Sequence, residues 1–189
     1  MKKIIILMTF ATLLTGCAST EAIKRLESRN GQGVFQVLDA SAKPLPDGYG
    51  DLQINLNLKT RTRDAVLINT TGDGTERYQL LVGINGQTQR LTGKMTPESG
   101  EYRGSKDPEA GNGIRYSFET TVRLPVGLHT MTFALPEDGV VLERRLEVKS
   151  GENRMVLQPV YRSKNPHQRI GFNGDTTYYE GVKSLLIKG

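Results

Sequence analysis

The side chains best suited to chemistry in this chain are carboxylates that lie beside glycines. Residues 69–76 (NTTGDGTE) place Asp73 and Glu76 among small residues, as calcium-binding loops place their oxygen ligands. This loop lacks the regular aspartate spacing and the final glutamate of an EF-hand. Asp107 and Glu109 raise the same question in a second polar segment. We expect ordinary turns at both places, with these four carboxylates as weak metal-ligand candidates and no cofactor.

A catalytic site built on histidine has equally little support. The chain has two histidines, of which His129 lies in a strand-like run and His167 in a polar tail. No nucleophile-elbow motif accompanies either of them. Two carboxylates for glycoside hydrolysis have no local sequence context, although a count of residues leaves such a pair open. The sequence therefore predicts no catalytic residue, and we interpret both histidines as structural or surface residues.

The N-terminus has the organisation of a targeting segment. Two lysines precede the apolar run 4–14, which is shorter than the roughly 20 residues needed to span a bilayer. Three residues of the type recognised by a signal peptidase then lead into Cys17: Leu14, Thr15 and Gly16. This order resembles the lipobox of bacterial lipoproteins, in which the peptidase cuts just before an invariant cysteine.

The lipobox resemblance implies a lipid anchor and a location in the cell envelope. Residues 1–16 would be the signal peptide, and Cys17 would carry a diacylglycerol thioether beside an acylated new N-terminus. Several acyl chains, at about 0.8 kcal/mol per buried CH₂, make such an anchor effectively permanent. Cys17 is the only cysteine, so an intramolecular disulfide is excluded. By the family's sorting rule, Ala18 favours the periplasmic face of the outer membrane, with the inner membrane or the cell surface as alternatives.

The segment that follows the cysteine, residues 17–31, is predicted to be a lipidated tether. Thr20 is a candidate helix cap, but a helix of fewer than about 12 to 15 residues is marginal in water. Fully extended, residues 18–30 would reach roughly 45 Å. We therefore expect a domain that is able to stand clear of the lipid surface.

The charge of the chain gives little indication of a partner. Removing Lys2 and Lys3 from the 25 Lys and Arg leaves 23 against 20 Asp and Glu, a net charge of +3. These charges are interspersed, and we interpret the nearest basic run as a solvated strand edge: Lys59, Arg61 and Arg63. Nucleic acid is not an expected partner of an exported protein.

Most of the mature chain has the residue pattern of β-strands. The clearest alternation is carried by Leu52, Ile54, Leu56 and Leu58. Asn85-Gly86 indicates a hairpin, because a type I′ turn needs positive φ at both central residues. Nine strand-like runs are visible: 33–38, 52–58, 65–69, 78–84, 87–95, 115–124, 128–135, 140–148 and 155–161.

The last four runs lie in the stretch 114–161, which carries a family resemblance. Residues 124–133 (LPVGLHTMTF), followed by an apolar strand and then by 148–153 (VKSGEN), resemble the second half of PEGA-type and carboxypeptidase-regulatory-like envelope modules. Those modules are small sandwiches without catalytic residues. The resemblance and the strand pattern together predict an all-β fold, an immunoglobulin-like or transthyretin-like antiparallel β-sandwich over residues 32–161.

Two polar segments flank this stretch. Residues 96–113 are predicted to form a long loop, and loops of that length are often functional, so this one is the best candidate for a binding loop. Residues 162–189 are predicted to be a C-terminal extension that packs on the domain. Within it, Tyr178–Lys188 has enough apolar residues to add a last strand or a short helix.

These observations predict a non-enzymatic, lipid-anchored cell-envelope protein. Its partners would be the membrane, through lipid on Cys17, and another envelope component that is either a protein or a polysaccharide. The alternative is a small carboxylate- or metal-dependent hydrolase that acts on cell-wall glycans through the loop 96–113. That alternative predicts that Asp107→Ala or Glu109→Ala removes an activity and leaves thermal stability unchanged.

Overall fold

The computed structural model describes residues 15–31, 36–37, 44–61, 78–100, 107–110, 112–164 and 178–188. In these ranges one α-helix, α1, spans Thr15–Ser28. The ten strands are β1 (Gln36–Val37), β2 (Tyr49–Arg61), β3 (Gln79–Ile84), β4 (Gln87–Thr92), β5 (Lys94–Glu98), β6 (Gly113–Pro125), β7 (Gly127–Leu135), β8 (Val140–Val148), β9 (Gly151–Lys164) and β10 (Tyr178–Lys188). A short 3-10 turn, Pro136–Asp138, joins β7 to β8.

The strands form two sheets that face each other. The larger has the order β1-β6-β2-β9-β10, with β5 also paired to β6, and the smaller has the order β4-β3-β7-β8. The prediction of an all-β sandwich is confirmed, and the immunoglobulin-like or transthyretin-like assignment stays a prediction. One strand pair departs from the antiparallel rule: β2 and β9 run parallel from Gly50 beside Gly151 to Leu56 beside Leu157.

The core lies between the sheets, as the alternation along β2 predicts. Leu52, Ile54, Leu56 and Leu58 are between 0% and 4% exposed, and each such side chain contributes about 1.5–3 kcal/mol by burial. The smaller sheet supplies the opposing layer from β3 and β7: Leu80, Val82, Ile84, Met131, Phe133 and Leu135. The period-2 pattern of the sequence therefore identifies the buried face of the central strand.

Two turns follow from residue type. Asn85 and Gly86 have φ of 50° and 84°, as the predicted type I′ hairpin requires, and they join β3 to β4. Gly139, at φ 66°, ends the Pro136–Asp138 turn in the left-handed conformation that glycine adopts without steric cost. The Asn85-Gly86 turn therefore lies where the sequence predicts it.

The predicted loop 96–113 is partly wrong. Its first residues belong to β5, which pairs with β6 from Lys94 beside Ser117 to Glu98 beside Gly113. Most of β5 is exposed, so its sequence lacks the apolar alternation that indicates a strand. Pro97 is compatible with this position because β5 lies outside the main path of the sheet, where a missing N–H is tolerated.

The C-terminal segment adds a strand. The sequence leaves a strand or a short helix open for this segment. Tyr178–Lys188 is β10, which pairs with β9 through register shifts between Tyr179 and Ser184. Val182 and Leu185 are 0% and 2% exposed within the main core. The segment therefore contributes directly to the sandwich interior, and β9 itself extends to Lys164.

Most of the predicted tether, residues 17–31, is helical and packs on the domain. α1 already includes Thr20, so this threonine is not its cap. Ile23 and Leu26 are 8% and 9% exposed and pack on Leu81 and Ala134 of the smaller sheet. Packing of an apolar face stabilises a helix that would be marginal when isolated in water.

Several predictions fall outside the described residues. These are the strand-like run 65–69, Arg63 of the basic run, the loop with Asp73 and Glu76, residues 101–106 and 111 of the predicted loop, and residues 165–177 and 189 of the extension, with His167. Of the run 33–38, only Gln36–Val37 is described, as β1.

Candidate functional site

The candidate site lies where the two parallel strands separate. The ladder between β2 and β9 ends at Leu56 and Leu157, whereas β2 continues along β6 and β9 continues along β10. A cavity of about 240 Å³ lies at this point. Six of the residues that line it are Asn57, Glu109, Arg115, Val156, Pro159 and Lys188. The divergence of two neighbouring strands thus creates a concave, mixed polar and apolar surface in the larger sheet.

Tyr161 spans the gap between the separated strands. Its hydroxyl accepts the backbone N–H of Lys59 at 2.9 Å and donates to Glu109 Oε1 at 2.6 Å. Burial, and next the bond to Glu109, raises the pKa of the Tyr161 hydroxyl well above its ordinary value. The tyrosine therefore stays protonated and supplies a backbone partner that the ladder no longer provides.

Arg115 is the centre of an ion-pair network beside the cavity. Its guanidinium contacts Glu98 through two bonds, Nε to Oε1 at 2.5 Å and Nη2 to Oε2 at 3.1 Å. Its Nη1 contacts Glu109 Oε2 at 3.0 Å. Lys59 Nζ lies 3.1 Å from Glu98 Oε2, and the Lys59 side chain is only 6% exposed. Among the described residues, two cations and two carboxylates thus form a network of directed, charge-assisted hydrogen bonds.

The network shows that one prediction is wrong, and it shows where two of the candidate carboxylates lie. Lys59 does not lie on a solvated strand edge, because it is buried against Glu98. Glu109 reaches the site, where Arg115 and Tyr161 bind both of its oxygens. Asp107 shapes the preceding turn, since its Oδ1 accepts the backbone N–H of Glu109 at 2.9 Å.

The roles of Glu98, Arg115 and Tyr161 had no signal in the sequence. Arg115 has the alternation expected of an outward-facing strand residue, and only the register that places it beside Lys59 reveals the network. Glu98 lies in the segment predicted to be a loop. Placing Tyr161 at the same site from the sequence would have required knowing that β9 pairs with β2.

His129 is held as a structural residue. It is 6% exposed, its Nδ1 lies 2.8 Å from Asn85 Nδ2, and its Nε2 lies 2.8 Å from the Pro125 carbonyl oxygen. The tautomer that fits both contacts accepts from Asn85 and donates to Pro125. The ring thereby connects the β3–β4 hairpin to the turn between β6 and β7.

The predicted anchor residues lie at the start of α1. Thr15, Gly16 and Cys17 are in its first turn, whereas Leu14 lies outside the described residues. No helix in the described part of the chain is long and apolar enough to cross a membrane. The described ranges also contain no group of three or more His, Cys, Asp or Glu residues arranged to hold a metal ion.

Comparison with family models, with curated proteins and with solved structures found no match to this chain. The PEGA-type resemblance and the lipobox therefore stay predictions from the residues. The hydrolase alternative also stays a prediction. Its proposed carboxylate Glu109 is bonded to Arg115 and Tyr161, so replacing Glu109 is expected to change stability as well as any activity.

Proposed function

We propose that this protein is a non-enzymatic, lipid-anchored protein of the bacterial cell envelope whose β-sandwich binds another envelope component. The observation that carries the proposal is the continuity between the lipobox and the domain. Cys17 lies in the first turn of a helix that packs on the sandwich through Ile23 and Leu26. An anchor on Cys17 would be joined to the folded domain through that helix.

The binding function is assigned to the cavity at the β2–β9 separation. Its walls combine apolar side chains, such as Val156, with an amide at Asn57 and charged groups at Arg115 and Lys188. Concave sites with a few fixed polar groups are where proteins bind ligands. The open, mixed polar and apolar character of this surface suits a segment of a protein or a polysaccharide that donates and accepts hydrogen bonds.

The anchor is tested by removing its attachment atom. Cys17→Ser, which cannot form a thioether, is expected to move the protein from the membrane fraction to the soluble envelope fraction. Fractionation followed by mass measurement of the N-terminal peptide checks both the location and the loss of the acyl mass. A Cys17→Ser protein that still sediments with membranes, with the wild type carrying no acyl mass, would overturn the proposed anchor.

The cavity is tested by filling it. Asn57 is exposed at the cavity wall, so Asn57→Arg should block the cavity without disturbing the core. We expect partners recovered by cross-linking from intact membranes to be lost or reduced at least tenfold. Gln53→Arg is the matched control, because Gln53 lies on the same face of β2 but outside the cavity lining. Equal recovery with both variants would place binding elsewhere.

A further inference from the structure

The direction of α1 across the smaller sheet is defined by its contacts. At its C-terminal end, the Gly31 N–H donates to the Thr88 carbonyl on β4 at 3.2 Å, and Glu27 lies 3.8 Å from Arg90 on β4. The helix also contacts β3 and β8, and β8 is the opposite edge of that sheet. The N-terminal end of α1 therefore points toward the β8 edge.

The same contacts give the position of the helix along the strands. Ile23 and Leu26 pack in the cluster that contains Ala134, close to the end of β7. Arg29 lies next to Gly86, at the hairpin turn, which is farther from that end. From its C-terminal end to Cys17, the helix thus runs toward the end of the sheet where the Pro136–Asp138 turn lies. Its N-terminal end lies at the corner between this turn and the β8 edge.

The docking of α1 is sterically defined. A Cβ on Gly83 would lie 2.6 Å from Leu26 Cδ2, so the absence of a side chain at Gly83 is what admits Leu26. Leu81 and Ala134, which pair with each other across β3 and β7 and pack against the helix, are both 0% exposed. The helix therefore packs closely on the smaller sheet through Leu26 and is held there by that contact.

We propose that α1 is a rigid strut that holds the sandwich against a lipid surface by one defined corner, the Pro136–Asp138 turn and the adjoining edge of β8. The inference rests on the proposed lipid anchor at Cys17. Ile23 lies six positions after Cys17, which is roughly 9 Å of helix. The domain is therefore membrane-proximal and oriented, in contrast to a domain on an extended tether of roughly 45 Å.

The orientation also determines where the candidate site lies. β6 begins close to Arg115 and ends at the turn that contains Val126, which precedes β7. Arg162, next to Tyr161, donates to the carbonyl of Asp138 at 2.7 Å. The ion-pair network thus lies toward the same end of the sandwich as the Pro136–Asp138 turn. The strut would present it near the lipid surface, within reach of ligands that are themselves held at the membrane.

The test uses the native lipidated protein in liposomes. Lipidation consumes the only cysteine thiol, so one introduced cysteine is the only site for a fluorescent probe. Glu137→Cys labels the predicted membrane-facing corner, and Val126→Cys labels the opposite end of β7. β7 has nine residues, which separate the two probes by roughly 30 Å. Quenching by headgroup-attached quenchers is expected to be several-fold stronger at Glu137 than at Val126.

Undocking the helix should abolish this difference. Gly83→Val forces a side chain into the seat of Leu26, and Leu26→Ala removes the same contact from the helix in case the first variant does not fold. Both are expected to equalise quenching at the two probes and to increase tryptic cleavage after Lys24 and Arg25. Lys24→Arg, on the exposed side of α1, is the control that keeps both the quenching difference and the two tryptic sites.

Two outcomes would overturn the strut. One is equal quenching at both probes in the otherwise unmodified protein, and the other is a difference that survives undocking. Failure of the anchor itself is recognised separately, because Cys17→Ser would then fractionate like the wild type whatever the probes report.

Discussion

Replacing Gly50 by alanine is expected to lower the free energy of unfolding by about 3 kcal/mol, the upper part of the range for overpacked interiors. An alanine Cβ at this position would lie 2.2 Å from the Lys149 carbonyl oxygen and 2.9 Å from Asn153 Nδ2. Lys149 connects β8 to β9. Its backbone N–H donates to Asn153 Oδ1 at 3.0 Å, and Asn153 Nδ2 donates to the Lys149 carbonyl oxygen at 2.7 Å. The neighbours of Gly50 therefore cannot move without breaking these bonds.

The Gly50→Ala effect is measured by equilibrium denaturation at neutral pH, with comparison of midpoints and slopes. Gly48→Ala is the matched control two residues earlier. Gly48 has φ +78°, and a Cβ added there would meet no atom within 4 Å, so alanine costs only backbone strain of roughly 1–2 kcal/mol. If Gly50→Ala proves no more destabilising than Gly48→Ala, the connection between the two sheets is more adaptable than its hydrogen bonds indicate.

Arg115→Met is expected to destabilise the protein by about 2 kcal/mol. The change removes the shared partner of Glu98 and Glu109, and breaking a buried pair typically costs about 3–5 kcal/mol. These side chains are 27% to 31% exposed, so solvent screening reduces the figure. Equilibrium denaturation at pH 7 checks the value. Arg25→Met is the control, because its ion pair with Glu21 is two-thirds exposed and should contribute less than about 0.5 kcal/mol.

The pH dependence of the same variant gives an independent test. Hydrogen bonds from Arg115 and then Lys59 lower the pKa of Glu98 from 4.5 to about 2. Because the folded state favours the ionised carboxylate, this contribution is fully present above pH 4.5 and is lost as the pH falls through about 2. Arg115→Met should therefore flatten the decline in stability over that interval. Asp51, whose pKa Arg123 also lowers, contributes equally to both proteins and leaves the difference unchanged. Parallel acid profiles would contradict the role given to Arg115.

Short-range features of this fold were predictable because they depend on neighbouring residues. The alternation along β2 determines its buried face, and Asn85-Gly86 has the backbone freedom that its hairpin needs. The site was not predictable for the same physical reason. Lys59 and Arg115 meet through strand register, and Tyr161 reaches them through a parallel pairing that no local pattern encodes.

The helix illustrates a second limit of local patterns. A helix as short as residues 15–28 is marginal when isolated in water, so the sequence predicts a tether. The contact of Leu26 with β3 is possible because Gly83, near the end of that strand, has no side chain. A glycine in a strand has several explanations, and only the position of Leu26 selects one of them.

The placement of β2 between β6 and β9 has a consequence for how the chain folds. Both neighbours of this central strand, residues 113–125 and 151–157, are synthesised long after it. Pairing between distant segments makes folding slow, since loop closure precedes any stabilising contact. Until Leu157 is available, β2 keeps an unpaired edge and an apolar face, which are the features that promote aggregation. A partly made or partly exported chain of this protein therefore exposes its β2 segment until residues up to Leu157 are available to pair with it.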